Sequence, residues 1–332
     1  MIVDKNKQSY VTGFVQSGAM LIPKVSTELS FKDRFSGVMV RLGYRRMHYS
    51  VRQGLYAVGN PDPGSPVIVT ANYKLTFDVV RKELSGMNLW ILVLNTHGVN
   101  VWCAAGKGTF GTGEIARMVK MTKLSTVVSH RDLIVPQLGA PGIAAHRVKE
   151  LTGFSVVYGP VRICDLKRFL DNGNSADREM RTVRFPLVER MKLTPLELVI
   201  GWKMILPILL ISLLHFSSFI PLMGSIIIAI FVFPAVFPYL PFRSFVLKGA
   251  VLGLIWAGIS SLLFAHDIYA VAEFFLLIPP LVAYPAFNFT GSTTFTSPSG
   301  VRYEIKKYTW PFIVWLSAGV IMYFVNVVRG VL

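Results

Sequence analysis

Leu89-Trp-Ile-Leu-Val-Leu94, the polar Asn95-Thr-His-Gly98, and then Asn100-Val-Trp-Cys-Ala-Ala-Gly-Lys-Gly-Thr-Phe-Gly-Thr-Gly113 form the stretch from which the rest of the chain is read. Six apolar residues in a row are a strand buried on both faces, and the polar quartet is a hairpin turn. Val99 to Trp102 then reads as an extended return. A run of small residues follows before a helix over Glu114 to Met121. Outward from this point the pattern alternates. Val67 to Leu75 reads as a strand, Asp78 to Leu84 as a helix, Thr126 to Ser129 as a strand and Pro141 to Leu151 as a helix. Ser155 to Tyr158 is another strand and Asp165 to Leu170 a last helix. Strands separated by single helices imply an α/β fold with a mostly parallel sheet covered on both faces. Such sheets bind ligands at the carboxyl ends of their strands.

Composition divides the chain. Of 34 Lys and Arg residues, 27 precede Gly201, with 15 of the 18 acidic residues; the last 132 residues hold 7 basic and 3 acidic side chains. Residues 1–60 are expected to be the N-terminal part of the soluble domain, 61–173 its α/β core, 174–195 a charged juxtamembrane linker and 196–332 a transmembrane domain. Five apolar stretches (196–214, 219–240, 245–265, 268–287 and 310–328) have lengths of 19 to 22 residues. A helix crossing about 30 Å of hydrocarbon needs that length. Arg243 with Lys248, and Arg302 with Lys306 and Lys307, mark alternate connections, of which the one from Asn288 to Thr309 is the longest. The charge pattern places the N-terminal domain in the cytoplasm and Leu332 outside. Met1 to Gln8 lacks the apolar core of an export signal, in keeping with that orientation. Lys203 and Lys248 are placed to snorkel, and Glu273 is a carboxylate within a span, open to an interfacial or a functional reading.

The net charge of +16 raises nucleic acid as a partner, but the basic residues are scattered and no nucleic-acid-binding motif is present. Between Arg162 and Lys192 stand eight basic and five acidic residues, a composition suited to anionic membrane lipids. Two cysteines, Cys103 and Cys164, are too few for an iron–sulfur cluster of the protein's own. Cys164 reads as structural, and neither His97 nor His130 is assigned a metal.

Three readings compete at residues 100–113. Gly106, Gly108 and Gly111 match a dinucleotide fingerprint, with Asp132 21 residues on, which describes a membrane NAD-dependent oxidoreductase. The turn is not the first strand–helix unit of the sheet, however, and Lys107 followed by Gly108 excludes a Walker A loop. A glycine-rich turn beside a buried structural cysteine is the second reading. Metal ligation by Cys103 is the third: Ala104, Ala105 and Gly106 allow a large flat ligand close to the backbone, and Lys107 and the coming helix start favour the thiolate. Thr70, Asn72 and Lys74 at one strand end, and Gln137, Leu138 and Gly139 at another, are further pocket candidates or plain structural turns.

Asn100-Val-Trp-Cys-Ala-Ala-Gly-Lys107 resembles the signature of the corrinoid protein of anaerobic bacterial and archaeal mercury methylation. The resemblance extends to the whole chain, since that family joins a Rossmann-like corrinoid-binding domain to a five-helix transmembrane domain. The soluble half is also similar to the large subunit of the corrinoid iron–sulfur protein, but lacks its four-cysteine cluster. The resemblance implies a cobalamin-type corrinoid held by Asn100, Trp102, Cys103, Ala104, Ala105, Gly106, Lys107, Gly108 and Thr109. The Cys103 thiolate is then the lower axial cobalt ligand; the Asp-x-His-x-x-Gly motif of base-off binding is absent. It implies methyl transfer to Hg(II) as a carbanion equivalent, giving methylmercury, with a strongly donating thiolate trans to the methyl. It further implies a ferredoxin-like electron donor with two four-iron clusters and a methyltransferase supplying methyl from a methylated folate or pterin. A corrinoid methyl carrier for another acceptor is the alternative.

Overall fold

The computed structural model describes residues 9–290, 293 and 295–331. They form two compact units, one of residues 1–40 and 44–183, the other of 41–43 and 184–332. The first is an α/β domain built on seven strands: β1 (Val11–Ser17), β2 (Met20–Val25), β3 (Gly54–Val58), β4 (Val67–Ala71), β5 (Leu89–Leu94), β6 (Asp132–Val135) and β7 (Ser155–Tyr158). Their order is β1-β2-β3-β5-β4-β6-β7. The parallel half is β5-β4-β6-β7. On the β5 side β3 is antiparallel, and β2 and β1 continue the sheet. The N-terminal sixty residues thus supply three of the seven strands.

Helices cover both faces, as the fully buried β4 and β5 require. α1 (Phe31–Arg41) is followed by α2 (Lys74–Glu83), α3 (Val101–Gly106), α4 (Thr112–Met121), α5 (Ala145–Thr152), α6 (Leu166–Asp171) and the single turn α7 (Arg178–Arg181). Val67, Val69, Trp90 and Leu92 pack with Ile115, Met118 and Val119 of α4 and Val148 of α5. The alternate residues Ile68, Ile91 and Val93 pack with Phe77 and Val80 of α2 and Phe169 of α6.

Several expected boundaries move. The strand expected over Val67 to Leu75 ends at Ala71, because α2 begins at Lys74. Thr126 to Ser129 is not a strand: Leu124–Thr126 is a 3-10 turn, and β6 starts at Asp132. The helix expected from Pro141 starts at Ala145, after a 3-10 segment over Gln137–Gly142.

α1 is fastened to α2 by a buried charge cluster. Arg81, fully buried, donates from Nη2 to Asp33 Oδ2 and from Nε to Asp78 Oδ1, both at 2.8 Å. Lys74 Nζ reaches Asp33 Oδ1 and Asp78 Oδ2, each at 2.6 Å. Lys74 is therefore an ion-pair partner of α1 rather than a strand-end pocket residue. Burial pushes the Asp33 carboxyl upward, but hydrogen bonds from Lys74 and Ser30 and the charges of Lys74 and Arg81 outweigh it and hold the group well below the ordinary range.

The second unit is mostly helical: α8 (Leu187–Met191), α9 (Thr194–Ser212), α10 (Phe219–Ile227), a π-helical turn (Ile228–Val232), α11 (Phe233–Val236), α12 (Phe245–Phe264), α13 (Ile268–Phe289) and α14 (Pro298–Val331). Four segments among the described residues are long and apolar enough to cross a membrane: Phe216–Tyr239, Phe245–Phe264, Ile268–Phe289 and Ser299–Arg329. They become five if the pieces Leu187–Val199 and Gly201–Ser212, bent by 63°, count as one. The long connection expected up to Thr309 is shorter, since α14 starts at Pro298 and Arg302, Lys306 and Lys307 lie within it. Lys248 does not snorkel. It is buried and donates to the Phe237 carbonyl at 2.7 Å, closing the end of the preceding helical segment. Glu273 is fully buried rather than interfacial; Ser218 Oγ and Asn326 Nδ2 donate to its two oxygens at 2.6 Å, linking α13 to the turn before α10 and to α14.

The Asp33 cluster sets an acid limit on the α/β domain. A carboxyl whose folded pKa is depressed contributes stability above its unfolded value of about 3.9 and loses it as pH falls toward the folded value. Asp33→Asn is expected to cost about 3–5 kcal/mol at neutral pH, since it leaves buried Arg81 and half-buried Lys74 to share the single carboxylate of Asp78. Hydrogen exchange of α1 and α2 in the full chain checks this: the variant should exchange faster at pH 7 and change less than wild type on acidification below pH 4.

Candidate functional site

The strand connections define one edge of the sheet. From β4 the chain passes over the α2 face to β5; from β5 it returns over the opposite face, past β4, to β6. The connections leaving adjacent β4 and β6 thus run apart, and this switch of direction opens a crevice at their carboxyl ends. Asn72 follows β4 there, the Asn95–Gly98 turn and α3 follow β5, and Gln137 to Gly139 follow β6.

Asn72 is buried and organises this edge. Its Oδ1 accepts the N–H groups of Thr96 and Gly98, both at 3.0 Å, and lies 2.9 Å from the Thr96 hydroxyl. That hydroxyl is also 2.6 Å from the Val99 carbonyl. The Asn95 N–H goes to Glu114 Oε1 at 2.8 Å, and Glu114 is paired with Arg117. His97 takes a left-handed conformation in this turn, with φ 55°.

Chain direction then changes into a helix, not the extended return expected over Val99 to Trp102. Asn100 has extended backbone angles, and its Oδ1 accepts the Cys103 N–H at 2.9 Å, the geometry of a helix cap. α3 buries Val101, Ala104 and Ala105, three or four residues apart on its inner side. Trp102 and Cys103 are half-buried, while Gly106, Lys107 and Gly108 are exposed. The two alanines therefore do not line an open surface. Their small size seats the helix on the sheet and on the Gln137–Gly142 segment instead. A Cβ on Gly142 would lie 2.2 Å from the Phe110 carbonyl oxygen and 3.2 Å from Ala105 Cα, and one on Gly139 would strike the Phe110 ring at 2.4 Å. Gly139 thus packs on Phe110 rather than facing a ligand. Thr109 and Phe110 both donate their N–H to the Ala104 carbonyl, at 3.0 and 3.1 Å.

The edge brings Cys103, Asn100, Asn72 and Gln137 together, and it leaves other candidates out. Thr70 is buried on the α2 face with Ile68, away from α3. Leu138 packs against the core on the α3 face. Cys164 is exposed in a 3-10 turn (Ile163–Asp165). His130 is held by Ser65, its Nε2 3.0 Å from the carbonyl. The dinucleotide reading loses its context: α3 stands between β5 and the glycines, so they do not form the strand-to-helix turn. Asp132, its proposed ribose partner, begins β6 and so lies at the opposite edge of the sheet.

One unmet group remains at the edge. Gln137 Oε1 is buried with no hydrogen-bond partner. The contact of Gly142 with α3 depends on chain segments nearly forty residues apart and has no local signal in the sequence. Asn72→Ala, which strands two buried N–H groups, is expected to cost about 2–4 kcal/mol. Amide exchange at Thr96 and Gly98 should accelerate most; unchanged protection there contradicts the pinning role of Asn72.

Comparison with known proteins bears on this same segment. Residues 44–170 match the family model of the CO dehydrogenase/acetyl-CoA synthase delta subunit. The acetyl-CoA decarbonylase/synthase complex subunit gamma of Archaeoglobus fulgidus is 34% identical over 128 residues, covering 38% of this chain and 27% of that protein. Its Methanopyrus kandleri counterpart is 32% identical over 123 residues, or 36% and 26% of the two chains. The corrinoid/iron–sulfur protein large subunit of Moorella thermoacetica is 31% identical over 112 residues, or 33% and 25%. The match spans about a quarter of each relative's length. Through its α/β domain, the chain is related to the corrinoid proteins of the acetyl-CoA pathway.

Proposed function

We propose that the α/β domain binds a cobalamin-type corrinoid with Cys103 as the lower axial ligand of cobalt, and that the chain methylates Hg(II). The observation carrying this reading is the position of Cys103, half-buried on the outward side of α3 at the carboxyl edge of the parallel strands. The residues present suit such a group. Among the described residues no set of three or more His, Cys, Asp or Glu is gathered to hold a metal ion. The edge therefore offers one soft donor, sufficient for a metal whose equatorial positions belong to a macrocycle. Gln137 Oε1 is an acceptor in want of a donor, and the amide-bearing rim of a corrinoid carries donors.

When bound, the corrinoid supplies the methyl group, and a thiolate ligand favours its transfer as a carbanion equivalent to the electrophile Hg(II). The protein's own part is positional. Asn100 fixes the backbone of Cys103 through its N–H, and Asn72 fixes the turn from which α3 starts. Gly106 and Gly108, exposed, have open space where a Cβ would stand, so no side chain blocks approach beside Cys103.

With two cysteines in the chain, electrons must come from outside. A ferredoxin-like protein with two four-iron clusters fills that role, and a methyltransferase acting on a methylated folate or pterin fills the role of methyl donor. The apolar helices anchor the chain in a membrane, with the α/β domain on the cytoplasmic side. Leu332, expected outside, lies beyond the described residues. The names of the relatives favour a second reading as well: a corrinoid methyl carrier whose acceptor belongs to acetyl-CoA chemistry, with mercury incidental.

The full chain, purified anaerobically in detergent and reconstituted with methylcobalamin, tests the proposal. Wild type is expected to show a cobalt–thiolate absorption absent from Cys103→Ala, and methylmercury formation in that variant should fall below detection. Equal activity in the two proteins sinks the ligand assignment. Faster transfer to a thiol or another metal than to Hg(II) favours the carrier reading.

A further inference from the structure

α1 inverts the pattern of an ordinary surface helix. Asp33, Gly37 and Val40 face the protein and are buried. The opposite side carries Phe31, Phe35 and Val38, exposed by 83%, 58% and 52%. At about 3.6 residues per turn these three fall within an arc of about 60°. The rings of Phe31 and Phe35 stack with centroids 6.2 Å apart. Exposed Lys32 flanks this stripe on one edge and exposed Arg34 on the other, and exposed Tyr44, Arg45 and Arg46 follow the helix. Asp33 is the one acidic residue from Phe31 to Arg46, and it is buried and paired with Lys74 and Arg81. The exposed charge here is therefore of a single sign.

Single exposed apolar residues are ordinary, but a soluble helix puts polar groups on its outer face. An apolar stripe between rows of cations is the form of a helix that lies in the plane of lipid headgroups. Chain connectivity agrees. Gly43, two residues beyond α1, belongs to the helical unit, where a Cβ on it would sit 3.5 Å from Leu196 and 3.9 Å from Val199 in the first turns of α9. From that anchor the chain back to Phe31 spans about 20 Å, at about 1.5 Å per helical residue.

We infer that α1 is an interfacial helix: Phe31, Phe35 and Val38 enter the bilayer boundary, and Lys32, Arg34, Arg45 and Arg46 engage anionic lipid headgroups. This rests on the membrane reading of the helical unit. The full chain tests it in nanodiscs of phosphatidylcholine, with or without phosphatidylglycerol. In a Cys103→Ser, Cys164→Ser background, Phe35→Cys carries a bimane fluorophore, and the lipid carries a nitroxide near its headgroup. Lys120→Cys, exposed on α4, serves as the reference position. Quenching at position 35 is expected to exceed that at 120 several-fold, to rise with phosphatidylglycerol, and to fall to the reference in the added double variant Lys32→Glu, Arg34→Glu. Shielding at position 35 that requires an added iron–sulfur partner, with no quenching by lipid, overturns the inference in favour of a protein-docking face. Release of the protein by alkaline carbonate overturns the membrane reading and this inference with it. A retained protein with no excess quenching overturns the inference alone.

Discussion

Asn72 Oδ1 receives two buried N–H groups at once, from Thr96 and Gly98, at the point where the parallel half of the sheet changes direction. Everything that makes the edge chemically interesting depends on that junction. It joins the end of β4 to the turn after β5, so that Asn100 is delivered with the backbone angles of a cap. The cap starts α3, and α3 turns Cys103 outward while Ala104 and Ala105 go inward. The second constraint comes from the far side of the chain. Gly139 and Gly142 let the segment after β6 lie directly against Phe110 and Ala105, so α3 is held between two strand ends.

Much of this architecture was legible in the sequence, and its failures have physical causes. Buried β5 and half-buried β7 coincide with the expected residues because short apolar runs bounded by polar turns leave little alternative. β6 was misplaced because Thr126-Val-Val-Ser129 has better strand propensity than Asp132-Leu-Ile-Val135, whose first residue is charged; pairing with β4 and β7 overrode propensity. The return expected over Val99 to Trp102 followed from reading Asn95 to Gly98 as a hairpin turn, while Asn100 three residues before Cys103 is a capping signal visible in the sequence. In the charge cluster, the i,i+4 pair Lys74–Asp78 and the i,i+3 pair Asp78–Arg81 are local, but the tie to α1 had no local signature, since Asp33 and Arg81 are 48 residues apart. Of the proposed site residues, those in the 100–107 segment were chosen for their unusual composition. Thr70, Lys74 and Gly139 were placed by strand-end geometry, which does not reveal which face a side chain takes.

The relation to corrinoid proteins covers the α/β domain and stops before the apolar helices. The helical unit is built on its own principles. α12 and α13 approach closely where Gly249 and Gly253 face Ala283, Ala286 and Pro279, because small residues let two helix backbones come together. Its buried charged groups have partners: Arg190, Glu273, Glu304 and Lys248 each bond to a neighbouring segment. These groups hold helix ends and crossings in register.

The 48 residues between Asp33 and Arg81 also order events in time. A ribosome adds about 5–20 residues per second, so α1 is synthesised seconds before the guanidinium that neutralises its buried side exists. During that interval the segment carries Phe31, Phe35 and Val38 on one side and an unmatched carboxylate on the other, with no sheet yet to rest on. Completion of α2 ends the wait in one step, because a single arginine grips Asp33, Asp78 and the carbonyls of Ser26 and Glu28. The nascent N-terminal segment is thus committed to its place by a residue made long after it, and the opening strands gain a fixed neighbour only then.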